Sequence, residues 1–372
     1  MDFEARLELA RDAMRAQGIE LLVGFHNGVH FIEKPDPVLL LSRFKALAES
    51  AVFLPRDGEV TVVVTPAWDA PRAARYAPGA SVIGTHDLAG AAAEVISCYR
   101  VPAKGIGLAG LSGMRWEIEA RVRGLLGNDA RNADDAVFRV AQRKTAEEIA
   151  RAETAARIAS LGYERLLEIA RPGIAEDRLA AQIKWYTKTL GAEDDFLILT
   201  AGPRNPTVHP SRGRPLEVGD LLLAEITPSV EGQMAQVCRT AVLGASTEVQ
   251  RESYEISVRS MRAGIEAAVP GRAMAEVSRA INAVMEAEGY GEYCYPPHIR
   301  RRGHGLGFAS PSPGDVSLEN ATILEPDMLF VVHPNQNMPQ TGYLLCGDTV
   351  VLTDDGARAL TRCSDVLDEI PI

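Results

Sequence analysis

The sequence contains no CxxC pair, and its five cysteines, Cys98, Cys238, Cys294, Cys346 and Cys363, are odd in number and widely spread. That pattern excludes a disulfide framework and zinc-finger spacing. No apolar run approaches the roughly 20 residues that span a bilayer, so no membrane partner is expected. Basic residues are in deficit: 39 Lys and Arg stand against 50 Asp and Glu, a formal net charge of −11. That balance argues against a nucleic-acid partner. A secretory signal is missing too, because MDFEARLELARDAMRAQG reads as an amphipathic charged helix, and the expected compartment is the cytoplasm. What is present is an ordinary globular composition, 46% hydrophobic and 24% charged. At 372 residues the chain exceeds one hydrophobic core, and two domains are expected.

An internal repeat is the most informative feature. LEVGDLLLAEI (Leu216 to Ile226) leads to CRTAVL at Cys238, and LEPDMLFVVHP (Leu324 to Pro334) leads to GDTVVL at Gly347. Aligned, Glu225 falls on His333 and Cys238 on Gly347. Upstream, RPGIAEDRLAAQI (Arg171 to Ile183) resembles VPGRAMAEVSRAI (Val269 to Ile281). Pro172-Gly173 and Pro270-Gly271 are 98 residues apart, as are Gly191 and Gly289. Each copy reads as a turn, an amphipathic helix, a glycine stop and then β structure. Two copies are too few for a solenoid, so they form two halves of one domain. Equivalent strands of such a domain place equivalent side chains around one pseudo-twofold centre. A polar residue closing each apolar run therefore points at a shared site.

The first third reads as α/β. ELLVGF (Glu20 to Phe25), SAVFLP (Ser50 to Pro55) and EVTVVV (Glu59 to Val64) are strand-like, with a hairpin turn at Pro55-Arg56-Asp57-Gly58. PAWDAPRAARYA and LAGAAAEVISCYR read as helices, and GIGLAG (Gly105 to Gly110) as a further strand. The polar, turn-rich GNDARNADDAV (Gly127 to Val137) marks a domain boundary. Beyond it runs a long helical period, with Thr145 and Glu148 spaced as a capping box.

His209 sits in AGPRNPTVHPSRGRPLEVGD, a loop just before the first repeat strand. Such loops often carry catalytic groups, although a surface histidine in a polar loop reads the same way. His304 lies in RGHGLG, where glycines permit close backbone approach; it follows no strand and lacks dinucleotide-fingerprint spacing, so cofactor binding of that kind is rejected. Glu225 and His333 end apolar strands, where a polar side chain costs free energy unless partnered. Gln236, Cys238 and Cys346 flank the same strands, and a cysteine there is equally a small buried apolar residue. In Arg300-Arg301-Arg302 an arginine beside His304, Arg300 first, is a candidate to grip a carboxylate or phosphate. Arg239 is a candidate for a structural ion pair.

These segments together resemble the creatinase, aminopeptidase P and prolidase family, over essentially the whole length. The resemblance implies an α/β fold: an N-terminal creatinase-like α/β domain, 1–133, and a pita-bread (duplicated α+β) catalytic domain, 134–372. VFRVAQRKTAEEIARAETAARI resembles the family's entry helix, and AGPRNPTVHP its active-site histidine loop, placing that histidine at His209. GDLLLAEI, AQVCRT, RGHGLG, LEPDMLFVVHP and CGDTVVLTDDGARALT resemble the five metal-ligand segments. Where the family's metallopeptidases use Asp, Asp, His, Glu and Glu for two divalent ions, this chain has Glu225, Gln236, His304, His333 and Gly347. Two imidazoles and one carboxylate neither bridge nor neutralise two cations.

Creatinase, in the same family, works without metals and keeps the histidine matching His209. The resemblance therefore implies a metal-independent hydrolase, with no cofactor, cleaving a C–N bond in a small non-peptide molecule. His209 is then general acid or base, and Glu225, His304 and His333 orient substrate or move protons. Arg300, Gln236, Cys238 and Cys346 are the substrate-binding candidates. A second reading is a lyase, oxygenase or hydrolase with one divalent metal ion on Glu225, His304 and His333. A third is a non-catalytic pita-bread binding protein. The family also implies a homodimer in which an N-terminal loop reaches the partner's site. Segment 31–45, with its apolar LLL in PDPVLLLSRFK, is the candidate loop, being awkward in solvent.

Overall fold

The computed structural model describes residues 2–31, 35–307 and 312–372. It divides between Thr145 and Ala146 into two compact units. The N-terminal unit begins with α1 (Phe3–Gln17), whose Asp2 side chain accepts a hydrogen bond from the Ala5 amide and whose Gly18 closes the helix at φ +64°. Strands β1 (Leu21–His26), β2 (Ser50–Pro55), β3 (Thr61–Val64), β4 (Ser81–Gly84), β5 (Ile106–Ala109) and β6 (Arg131–Asn132) form one mixed sheet ordered β4-β3-β2-β1-β5-β6. The Pro55-Arg56-Asp57-Gly58 turn joins the antiparallel pair β2 and β3 as expected.

Alternation sets the two faces of this sheet. Leu22, Val52, Leu54 and Val62 pack with α1, α2 (Pro37–Ser42) and Ala73 of α3 (Ala70–Tyr76). Leu21, Val23, Phe25, Ala51 and Phe53 pack with α4 (Leu88–Tyr99) and α5 (Trp116–Leu126). The expected boundary lay at 133/134. Helix α6 (Asp134–Val140) instead joins this unit, because Val137, Val140 and Ala141 belong to the core beneath α1. Leu39, Leu40, Leu41 and Phe44 are buried in that core as well. The apolar run expected to seek a partner chain is thus satisfied at home, and residues 32–34 of that segment lie outside the described residues.

In the C-terminal unit the repeat becomes visible. Helices α7 (Ala146–Ile169) and α8 (Glu176–Thr189) precede β7 (Asp194–Gly202), β8 (Leu221–Val230), β9 (Gln233–Met234) and β10 (Val237–Leu243). Then α9 (Glu248–Ala267) and α10 (Met274–Ala287) precede β11 (Gly303–Gly305), β12 (Leu329–Val332), β13 (Gln336–Met338), β14 (Gly342–Leu344), β15 (Gly347–Thr353), β16 (Gly356–Ala359) and β17 (Asp368–Ile370). Both ends of α8 and α10 are offset by the same 98 residues, and equivalent bridges, Ala175–Pro215 and Ala273–Ile323, tie each helix start to the chain beyond it. The main sheet runs β11-β12-β15-β10-β8-β7. Tyr163, Leu179 and Ile183 cover its first half through Leu199, Leu222 and Ile226. Val258, Met261 and Ile281 cover the second through Phe330, Val332 and Val350. The halves join where β10 pairs with β15, Cys238 opposite Gly347. Those two residues are equivalent in the repeat, so the pseudo-twofold centre passes between them.

Helix α9 carries a capping box in its geometry: Thr247 accepts from the Gln250 amide while the Gln250 side chain accepts from the Thr247 amide. Thr247→Ala is expected to cost about 1 kcal/mol, read as a lower urea midpoint at unchanged slope.

Candidate active site

Sheet register assembles the site. Glu225, in the middle of β8, lies opposite Cys238 of β10, and Cys238 lies opposite Gly347 at the start of β15. His304 is the middle residue of β11, opposite Val331 of β12. His333 follows β12 directly, and its amide donates to the Arg302 carbonyl at 2.9 Å. The His304 and His333 rings sit edge-to-face with centroids 5.2 Å apart, and both side chains are buried. His304 Nδ1 donates to the Gly305 carbonyl at 3.0 Å. His333 Nδ1 is buried and makes no hydrogen bond. Burial drives the His333 pKa well below the ordinary histidine value, and His304 and Arg301 push the same way. His333 is therefore a neutral imidazole.

On the other half, the Cys238 thiol points to Glu225 Oε2 at 3.8 Å and accepts from Gln236 Nε2 at 3.3 Å. Gln236 Oε1 is buried without a partner. Burial, then the Glu225 charge, holds the Cys238 pKa well above its ordinary value, so it remains a thiol. Cys346 was expected beside the substrate. It is instead core: it packs with Val258, Val332 and Val350, its Sγ is 3.7 Å from Met261 Sδ, and burial pushes its pKa up to about 12. Tyr343 of β14 joins the site unannounced by sequence. Burial, then Glu225 and Cys238, push its phenol up to about 12. Its signal was only position, at the end of a short hairpin returning from His333.

The arginines separate into different roles. Arg302 is fully buried and braces the strands, donating to Asn282 Oδ1 at 2.8 Å and Gln336 Oε1 at 2.7 Å. Arg301 pairs with Asp315 at 3.2 Å. Arg300 is exposed, and with Arg301, Arg302, Asn282 and Tyr295 it lines a cavity of about 390 Å³ that none of His209, Glu225, His304 or His333 lines. His209 is half-buried; its backbone exchanges hydrogen bonds with Thr200 Oγ1, and its Nδ1 donates to the Pro210 carbonyl at 2.9 Å. That tie fastens its loop to β7. Arg239 is the expected structural ion pair: it meets Asp348 Oδ1 at 2.8 Å and donates to the carbonyls of Gly347 and Cys238.

Residues 150–354 match the model of metallopeptidase family M24. Over 223 residues the chain is 30% identical to the "Uncharacterized peptidase YqhT" of Bacillus subtilis, covering 59% of this chain and 62% of that protein. Over 232 residues it is 30% identical to the Xaa-Pro dipeptidase of Pyrococcus furiosus, covering 62% and 66%. The match thus spans a little under two thirds of the length of these curated relatives. The solved Xaa-Pro dipeptidase from Bacillus anthracis superposes with a TM-score of 0.86 at 20% identity, over 99% of this chain and 100% of that one, which shows the shared fold. Two expectations are corrected here. A metal-independent hydrolase of non-peptide C–N bonds conflicts with relatives named as peptidases and dipeptidases. An absence of any cofactor conflicts with a family of metallopeptidases.

The residues that the resemblance places at ligand positions do not, by their own chemistry, fit a paired-ion centre. Gly347 offers no donor, the Gln236 amide offers no charge, and Glu225 is the one carboxylate. The backbone agrees: a Cβ on Gly347 would overlap His333 Cβ and lie 2.9 Å from His333 Cα and 3.0 Å from the Val332 oxygen. The single-ion alternative is not assembled either. Among the described residues, Glu225, His304 and His333 do not gather their ligating atoms within 4.8 Å of one another.

Proposed function

The chain belongs to metallopeptidase family M24, and from that premise we propose that it hydrolyses the amide bond of a small peptide-like substrate at the Glu225, His304 and His333 site. The observation that carries this reading is the unpartnered His333 Nδ1 beside His304. A buried polar atom left unsatisfied costs ~1–3 kcal/mol, which a polar group of a bound substrate offsets. His333, held neutral, can accept a hydrogen bond from the attacking water at its unpartnered Nδ1 and draw off its proton as the bond to the carbonyl carbon forms. Glu225 orients that water or the substrate amine, and His209, on its tethered loop, protonates the leaving nitrogen. Dipeptides, with proline in second place first among them, are the substrate class, after the names of the relatives.

The test is a panel of Xaa-Pro and other dipeptides, assayed after chelation and again with added Mn²⁺, Co²⁺ or Zn²⁺. Wild type is expected to cleave part of the panel, and His333→Ala to lose about 10²–10⁴ in kcat/KM while keeping its circular dichroism. Failure to cleave any dipeptide under all of these conditions would overturn the reading.

A further inference from the structure

The geometry points to a transition-metal site in the N-terminal unit, built from His26, His30 and Asp36 and separate from the residues of the proposed reaction. One ligating atom from each lies within 4.8 Å of the other two. His30 Nδ1 is 3.2 Å and His26 Nδ1 3.6 Å from Asp36 Oδ2, and the two imidazole centroids are 4.6 Å apart. Zinc holds nitrogen and oxygen ligands at ~2.0–2.2 Å, so two ligands at a tetrahedral angle lie about 3.3–3.5 Å apart. The observed spacings bracket that value.

Hydrogen bonds around the cluster fix the orientation of its three groups. His30 Nε2 lies 2.8 Å from the Ala46 carbonyl, which only accepts, so Nε2 carries a hydrogen, and the other ring nitrogen, Nδ1, faces Asp36 Oδ2. His26 Nδ1 accepts from the Gly28 amide at 3.2 Å, so it carries no hydrogen, and an ion ligated there would displace that amide. Asp36 Oδ1 accepts from the Leu39 amide at 2.9 Å and caps α2, which turns Oδ2 to the histidines. Asp36 is fully buried, Oδ2 receives no aligned hydrogen bond, and His26 is 3% exposed. A buried carboxylate is costly unless positive charge lies beside it, which a cation held by the three groups would supply. Carbonyl bonding of the outer ring nitrogen, as at His30, is the outer-shell arrangement that orients metal-bound imidazole.

Two histidines and one carboxylate suit zinc or another borderline divalent ion, with a fourth position left for water. Because His26 ends β1 and Asp36 caps α2, the ion would tie the start of that helix to the end of the strand. Cobalt(II) is the probe, since four-coordinate Co²⁺ shows intense visible d–d bands. Full-length protein stripped by chelation and titrated with Co²⁺ is expected to give those bands at one equivalent and to melt at higher temperature. Asp36→Asn and, separately, His30→Ala are expected to abolish the bands and weaken Co²⁺ binding by more than about 100-fold, since losing even an outer-shell partner costs ~10–100-fold. His333→Ala should leave both readouts unchanged. His30 is partly exposed and does not cap α2, so its variant stays informative where Asp36→Asn fails to fold. Wild type without the bands, or bands that survive His30→Ala, would overturn the site.

Discussion

Replacing Arg239 with alanine is expected to remove about 3–5 kcal/mol of stability, a large part of the ~5–15 kcal/mol typical of a folded domain. The guanidinium is buried at the junction of the two halves. It spends its donors on Asp348 Oδ1 at 2.8 Å, the Gly347 carbonyl at 2.7 Å and the Cys238 carbonyl at 2.8 Å. Thr361 Oγ1 donates to the same Asp348 oxygen at 2.5 Å. Truncation strands a buried carboxylate and two strand carbonyls beside the site, and no water shell replaces the lost donors. Arg239→Ala, Asp348→Ala and the double variant form a thermodynamic cycle read by urea midpoints. Coupling above ~1 kcal/mol is the expected outcome. A single-variant loss below ~1 kcal/mol would show that the pair does not hold the halves together.

The readability of this chain followed the range of the interactions involved. The catalytic fold was legible because duplication writes a tertiary symmetry into one dimension, and the 98-residue offset survives in both ends of α8 and α10. Glu225 and His333 drew notice as polar residues closing apolar runs, but only His333 follows a strand end; Glu225 lies in the middle of β8, which runs on to Val230. Which arginine braces the strands was not legible, because Arg300, Arg301 and Arg302 are consecutive identical side chains ahead of β11, and only Arg302 is buried in the fold. Cys346 and Cys238 read alike in sequence, yet one packs on Met261 and the other meets Glu225. The domain boundary moved because α6, polar at its start, buries Val137 and Val140 later on. The cluster of His26, His30 and Asp36 was missed because its spacing fits neither a helix face nor a hairpin; a strand end and a helix cap bring it together.

Placing carboxylates at positions 236, 333 and 347 is expected to unfold the site rather than load it with metal. The three changes look independent, but Gly347 and His333 share one space. Gly347→Ala alone should cost about 1–3 kcal/mol, the usual range for overpacking, because its Cβ meets His333 Cβ and the Val332 carbonyl rather than a yielding side-chain tip. Gly347→Glu adds a charge in a pocket whose neighbours are buried. Changing His333 to Glu gives no relief, since the conflict involves the Cβ and backbone that any residue but glycine would keep. The combined Gln236→Asp, His333→Glu, Gly347→Glu variant should therefore melt well below wild type and take up no more Mn²⁺ than wild type in equilibrium dialysis. A triple variant that keeps the wild-type melting temperature and binds two additional equivalents of Mn²⁺ would show the opposite: that strands β12 and β15 separate readily and that this frame accepts carboxylates at all three positions.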